Sequence, residues 1–458
     1  MTFPSYPVYK DSGVAWLGDI PAHWSIKKFR YVFEESPEKI TDEVVGDMLS
    51  VSGYRGIEVK QYDDEGRRRT DEELLGYRVV RPGQLVVNTM WLNYAGLGVS
   101  EHEGHVSPAY RSYWIDPAMD KRFIHHLMRS GTYVQGYTRL LTGIRPNSLQ
   151  MGRDDLMGFP VLLPTKPEQT QIARFLDHET ARIDVLIKEQ QRLIELLKEK
   201  RQAVISVAVT KGLDRTVPMK DSGVEWLGKV PAHWVVMQLS RVLEKVEQGW
   251  SPNASNEPAG PNEWGVIKIS AIKKGTFFDS ENKALLEGTL PELAFEIRDG
   301  DVLVTRANTP DLVGDACVVK NDSGSRLMLS DLVYRLRLLP GIDASFICYF
   351  LLSHFGRAQI KSDARGSSMS MAKISQGHIK AWLLALPTYS EQVEISKFIS
   401  GKLCKLDELI RVGTESHTLL AERRSALISA AVTGKIDVRG WQPPASAQAP
   451  ELAVAEAV

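Results

Sequence analysis

One phrase occurs twice. "KDSGVAWLGDIPAHW" (Lys10–Trp24) returns as "KDSGVEWLGKVPAHW" (Lys220–Trp234), with 12 of 15 positions identical. A second pair of words follows the same rule: "LPTKPEQTQIARFLDHETARIDVLIKEQ" from Leu163 answers "LPTYSEQVEISKFISGKLCKLDELIRVG" from Leu386, an offset of 223 residues. Each run closes alike, as "AVTKGLD" (Ala208–Asp214) and "AVTGKID" (Ala431–Asp437). The order is phrase, variable block, helical run, and then the same again, so the chain must fold as a duplicated unit.

The run from about Glu168 to Val209 has the pattern of a long helix, with Thr165 and Pro167 as start signals and Gly212 as the stop. Apolar residues recur in steps of four and three: Ile172, Leu176, Ile183, Leu186, Leu193, Leu197, Val204 and Val207. This is a coiled-coil spacing interrupted by Glu179, Gln190 and Lys200. The second copy supplies Ile395, Ile399, Leu406, Leu409, Leu420, Leu427 and Ala430, interrupted by Lys402, Gly413, Ser416 and Arg423, and Gly413 allows a bend. The two seams are expected to bury each other as an antiparallel pair. With flush ends, Glu179 faces Arg423, Gln190 faces Gly413, and Lys200 faces Lys402, the last unfavourable unless both snorkel outward.

The blocks between these words are mixed. "GQLVVNTM" (Gly83–Met90) and "GDVLVTRA" (Gly300–Ala307) read as strands after a turn glycine, while "RFIHHLMRS" (Arg122–Ser130) and "SFICYFLLSHFGRAQI" (Ser345–Ile360) read as amphipathic helices. The expected fold class is α+β: two globular domains separated by two long helices, with a pseudo-twofold internal repeat. Its boundaries are 1–165 and 215–388 for the globules, 166–214 and 389–438 for the helices, and 439–458 for a low-complexity tail expected to be disordered.

Catalytic chemistry is hard to find. "GVEWLGK" (Gly223–Lys229) matches half of a phosphate loop, but Val230 stands where Ser or Thr would hold magnesium, and the other copy has Asp19 for the lysine. "EHEGH" (Glu101–His105) lacks helical metal-ligand spacing and reads as surface-loop histidines. No nucleophile elbow, Cys–His pair, adenine-methyltransferase motif or convincing cofactor loop is evident. Cys317, Cys348 and Cys404 are few, scattered and odd in number, which fits a reducing cytoplasm. No signal peptide or membrane-spanning run is read.

Both blocks do carry cationic and amide-bearing loops at matching places. The first supplies Tyr54, Arg55, Arg67, Arg68, Arg69, Asn88, Trp91, Asn93, Tyr94, Arg145 and Asn147. The second supplies Lys268, Lys273, Lys274, Arg306, Asn308, Asp311, Arg365, Ser367, Ser368 and Lys373. Arg and Lys neutralise phosphates, while Arg, Asn and Asp side chains can match guanine, adenine and cytosine edges. A net charge of −1 argues mildly against nucleic acid, although a basic face can be offset by an acidic one elsewhere. A duplicated scaffold that binds protein instead of DNA is the alternative.

The repeated phrase, the "LPTKPEQ"/"LPTYSEQ" helix entries, the arginines near each helix end and the "AVT" closes together resemble the specificity subunit of type I restriction-modification systems, over nearly the whole chain. That resemblance implies two target-recognition domains held apart by an antiparallel helix pair and reading double-stranded DNA in two halves. It implies two methyltransferase subunits and two motor-nuclease subunits as partners. It also implies no cofactor in this chain, with S-adenosylmethionine, ATP and magnesium held by those partners, and no catalysis by the chain alone. A 42-residue helix runs about 63 Å at 1.5 Å per residue, long enough to hold two readers a duplex turn or more apart.

Overall fold

The computed structural model describes residues 3–53, 55–62, 69–143, 149–321, 324, 326–364 and 371–444. The chain divides into two units: unit 1, Met1–Gln191 with Glu415–Val458, and unit 2, Arg192–Thr414. Among the described residues no helix is long and apolar enough to cross a membrane.

Each copy of the repeated phrase folds as a small hairpin. Tyr9–Asp11 pairs antiparallel with Asp19–Pro21, and Met219–Asp221 with Lys229–Pro231. The letters explain the turn. Asp11 and Asp221 each accept the backbone N–H two residues on, from Gly13 and Gly223, at 2.9 Å. Gly18 and Gly228 sit at φ +65° and +63°, in the left-handed region that glycine enters freely. The half phosphate-loop motif is therefore a hairpin turn, with no helix N-terminus behind it. Trp24 and Trp234 are fully buried. Trp16 is half-buried and stacks on Phe159 at 5.3 Å, whereas Trp226 stays 38% exposed.

The phrase explains the second repeated word, because the two meet. In the first turn of the first long helix (Lys166–Lys211) stands Glu168, whose carboxylate accepts from Thr165 Oγ1 at 2.9 Å and Thr165 N at 3.3 Å, the latter being the glutamate half of a capping box. The same carboxylate takes His23 Nε2 at 2.8 Å and Trp24 Nε1 at 3.4 Å. In unit 2 the second long helix (Tyr389–Val432) repeats the arrangement: Glu391 takes Thr388 at 3.0 Å, His233 Nε2 at 2.8 Å and Trp234 Nε1 at 3.5 Å. The next residue does the same in both: Gln169 and Gln392 accept, each at 2.8 Å, from the backbone N–H of Asp120 and Asp343, which cap the helices Lys121–Arg129 and Ala344–Leu352.

The sheets repeat as well. Unit 1 has an antiparallel sheet in the order Phe33–Glu35, Tyr110–Ile115, Leu85–Asn88, Leu97–Val99. Unit 2 has Leu243–Gln248, Val333–Leu338, Val302–Thr305, Ala316–Val318, in the same order and directions. A second sheet in unit 1 orders Gly56–Val59, Asp47–Ser52, Gly104–Val106 and Arg78–Val80, with its middle pair parallel. Unit 2 matches three of these strands with Asn282–Ala284, Trp264–Ile267 and Arg326–Met328. Ser25–Lys28 pairs with Pro160–Leu163, and Val235–Gln238 with Leu383–Leu386. Each unit is thus α+β.

Each core takes in parts of both long helices. In unit 1, Ile172, Phe175 and Leu176 share a cluster with Ala431, Val432 and Val438; in unit 2, Ile205, Ala208 and Val209 share one with Ile395, Ile399 and Leu403. Asp184 pairs with Arg424 at 2.7 Å within unit 1, and Arg201 with Asp407 at 2.8 Å within unit 2. The residue numbers in the two pairs have the same sum, as antiparallel segments require. This register differs from flush ends by about six residues. Glu179 bonds His178 and Arg182 instead of Arg423. The first turns of each helix are occupied by the globule they enter, so the ends overhang.

The apolar seam also differs in period. Ile172, Leu176 and Ile183 are buried, and Leu197 and Val204 half-buried, but Leu186 and Leu193 are 49% and 48% exposed. Ile187 and Ile194 take their places, half-buried and buried. Ile172, Ile183, Ile194 and Ile205, all buried, stand 11 residues apart. Eleven residues in three turns match a nearly straight α-helix better than seven in two. In the second helix Ile395, Ile399 and Leu406 are buried, Leu420 and Leu427 are half-buried, and Leu409 is 54% exposed while Ile410 turns inward. The helix continues through Gly413.

One charged group lies inside unit 2. Arg335 has no exposed surface and meets Glu247 at 2.6 Å, Asp301 at 3.2 Å and the carbonyls of Glu296 and Ala294 at 2.6 and 2.8 Å. Burial opposes ionisation of Glu247, yet Lys245 and Arg335 outweigh it and hold the carboxyl at about 2.

Candidate nucleic-acid interface

In unit 1 the candidate loop joins Leu85–Asn88 to Leu97–Val99. Trp91 and Tyr94 stand out from it, each 57% exposed, with ring centroids 5.9 Å apart. The loop is tightly wound: Gly96 N donates to Trp91 O at 2.8 Å, and a β-carbon on Gly96 would come within 2.5 Å of that oxygen. Asn88 is buried and accepts from Met90 N at 3.1 Å, so it shapes the loop. Asn93 is half-buried, and its buried Oδ1 has no hydrogen-bond partner. Arg55 is exposed and pairs with Glu58 at 2.6 Å. Arg69 is exposed and lies over the Tyr77 ring at 5.7 Å.

In unit 2 the corresponding loop leaves Val302–Thr305. Arg306 is half-buried and donates to Asp331 O at 3.3 Å. Asn308 accepts from Thr309 N at 2.8 Å, and Asp311 pairs with Lys361 at 2.8 Å, a contact that holds its carboxyl below the usual range. Asn308 also borders a cleft of about 520 Å³, together with Lys273, Ser270, Glu281, Phe278 and Leu312. The short strand Ala307–Asn308 pairs with Ala372–Lys373, which brings Lys373 beside that strand, with its side chain exposed. Lys273 and Lys274 are exposed at the tip of the hairpin Ile272–Lys273/Thr276–Phe277. Lys274 has φ +50°, and its N–H donates to Asp315 at 2.7 Å. Lys268 is half-buried at the end of Trp264–Ile267. Residues read as scattered in sequence therefore gather here: Lys273 and Asn308 share one cleft, and Lys373 lies on the strand paired with Ala307–Asn308. Tyr54, Arg67, Arg68, Arg145, Asn147, Arg365, Ser367 and Ser368 lie outside the described residues.

Two arginines escaped the sequence reading. Arg129, on the inner face of its helix, donates to four backbone carbonyls, and Arg357 to two. An arginine in an amphipathic helix carries no local mark of such a role. The reading of "EHEGH" as surface loop is also corrected: His102 is exposed, but His105 is 3% exposed in the strand Gly104–Val106 and bonds Val45 O at 3.0 Å. Among the described residues no cluster of His, Cys, Asp and Glu could hold a metal ion.

No family model matches the chain. A curated relative decides its kinship: the type I restriction enzyme EcoEI specificity subunit of Escherichia coli is 31% identical over 219 residues, covering 47% of this chain and 36% of that protein. This chain is similar to type I restriction specificity subunits. A second such subunit, EcoKI of E. coli strain K12, is 27% identical over 316 residues, covering 66% of this chain and 64% of the other. The match thus spans between about a third and two thirds of these specificity subunits' own length. A solved chain from work on complex assembly and conformational transition of the type I R-M system superposes with a TM-score of 0.61 at 16% identity, over 90% of this chain and 98% of that one. That chain and this one therefore share a fold over most of their length, well beyond the reach of sequence identity.

Proposed function

We propose that this chain is the DNA-recognition component of a type I restriction-modification complex. Its two globular domains, residues 1–165 and 215–388, each read one half of a bipartite double-stranded target. The helical segments 166–214 and 389–438 form an antiparallel coiled pair that sets the spacing. Two methyltransferase subunits carry out adenine methylation and two motor-nuclease subunits carry out restriction. S-adenosylmethionine, ATP and magnesium belong to those partners, and the chain by itself is not catalytic.

The observation that carries this reading is the repeated topology with unlike loops. The same sheets recur in the same order, while the segments at 89–96 (TMWLNYAG) and 306–315 (RANTPDLVGD) differ in length and in sequence. A scaffold under one selection would keep its loops alike; two readers of different bases would not. The ion pairs Asp184–Arg424 and Arg201–Asp407 support one register along the whole helix pair. Helices of 46 and 44 residues run about 69 and 66 Å.

The test is co-expression with a methyltransferase subunit, followed by sequencing of methylated adenines. One bipartite motif is expected, and exchange of residues 235–385 for another relative's block should change one half only. Methylation without sequence preference would favour the protein-binding scaffold, for which the net charge of −1 speaks.

A further inference from the structure

Two candidate reading segments of unit 1 come from distant parts of the sequence, Ser52–Gly53 and Trp91–Leu97, and they touch. A β-carbon on Gly53 would lie 2.9 Å from Tyr94 O, and one on Gly98 would lie 3.2 Å from Gly56 Cα. At Gly53 the neighbouring atoms are backbone alone. Such a contact has little packing of its own to fix it.

A single side chain bridges it. Arg129 Nη1 donates to Ala95 O at 3.1 Å and Leu97 O at 2.5 Å; Nη2 donates to Ser52 O at 3.2 Å and Gly53 O at 2.9 Å. The planar guanidinium thus sends one nitrogen to each segment. Ala95, one of its acceptors, has φ +54°, a conformation that a non-glycine residue needs help to hold. One turn earlier on the same helix face, His125 Nδ1 accepts from Val99 N at 3.2 Å and its ring abuts Gly56. Burial, with Arg424 nearby, lowers the Arg129 guanidinium to about 10, which leaves it charged at neutral pH.

We propose that Arg129 is a positioning residue that fixes the two reading segments of unit 1 relative to each other; the inference rests on the DNA-reading function proposed above. In unit 2 Arg357 holds a single loop, donating to Val313 O at 2.8 Å and Asp311 O at 3.0 Å. It does so from a helix, His354–Asp363, whose place in the repeat does not match that of Arg129. In both units an arginine thus braces the backbone of a candidate reading loop, but only Arg129 joins two segments. A lysine keeps the charge but lacks the planar fork.

The test uses the full chain assembled with its methyltransferase subunit. Amide hydrogen exchange is followed in R129Q, R129K and R357Q, and binding is measured on the wild-type preferred duplex, selected from a random library, and on duplexes altered in one half. In R129Q and R129K, exchange at residues 52–53 and 91–97 should rise about tenfold or more. Discrimination at one half should fall about tenfold, with the other half unchanged, and R357Q should give the converse. Wild-type exchange in both segments overturns the proposal, as does equal loss at both halves or a rise spread evenly over unit 1. If wild type prefers no duplex, the DNA-reading function fails, while the exchange data still decide whether Arg129 holds the segments.

Discussion

Glu168 and Glu391 show how much a repeated letter can mean. Each caps the backbone N–H of the preceding threonine and receives a histidine and a tryptophan from a phrase some 150 residues away. Burial opposes their ionisation, but the hydrogen bonds from His23 or His233 and from the threonine prevail and hold both carboxyls below the usual range. Loss of such a cap costs about 1–2 kcal/mol, so Glu168→Ala and Glu391→Ala should each lower the unfolding free energy read from urea titration by that much. Because the folded carboxyls are more acidic than the unfolded ones, their contribution is whole above about pH 4.3 and fades as pH falls through the lowered folded value. Glu168→Gln should flatten that acid limb in thermal melts taken between pH 6 and 3, whereas an unchanged limb would assign it elsewhere. Arg335 is the opposite case, a buried charge whose value lies in not being left alone. Arg335→Met takes the buried partner from Glu247 and Asp301, leaving them only the more exposed Lys245 and Arg337, and should cost about 3 kcal/mol in unfolding free energy. Adding Glu247→Gln should recover part of it.

At the level of elements, the long helices were legible and their register was not. Thr165, Glu168 and Gly212 mark the ends by capping chemistry that acts within a few residues, and the first helix runs Lys166–Lys211. The seam was harder because the alternatives are all apolar: Leu186 next to Ile187, Leu193 next to Ile194, Leu409 next to Ile410. A seven-residue and an eleven-residue repeat coincide for two turns and then part by one residue, and composition cannot choose between them. Ile194→Ala should therefore cost about 2–4 kcal/mol, while Leu193→Glu should stay within about 0.5 kcal/mol, both read from denaturant unfolding. The reverse order would restore the heptad. The candidate loops were legible as residue types only. That Asn88 shapes its own loop, that Asp311 is matched by Lys361, and that Lys273 and Asn308 border one cleft are consequences of strand pairing between segments tens of residues apart.

For the whole molecule, the way the chain closes matters. In unit 2 the first long helix ends at Gly212, φ +72°, packed near Trp234, and the chain runs straight on into the second phrase. In unit 1 the second long helix ends at Gly434, φ +73°, packed near Trp24 in the same way, but the phrase it meets belongs to the other end of the chain. There Asp437 N donates to Pro4 O at 2.7 Å and Tyr9 OH to Gly434 O at 3.0 Å. Gln171 fastens Val438 and Trp441 beyond them, at 3.0 and 2.6 Å. What is a peptide bond at one junction is a set of hydrogen bonds at the other. A circular permutant that joins residue 441 to residue 3 through a short Gly/Ser linker, and opens the exposed turn between Asp214 and Thr216, should melt within a few degrees of the parent. It should direct methylation to the same motif. Covalent continuity at that junction is thus dispensable to unit 1, whose hydrogen bonds do there what the backbone does in unit 2.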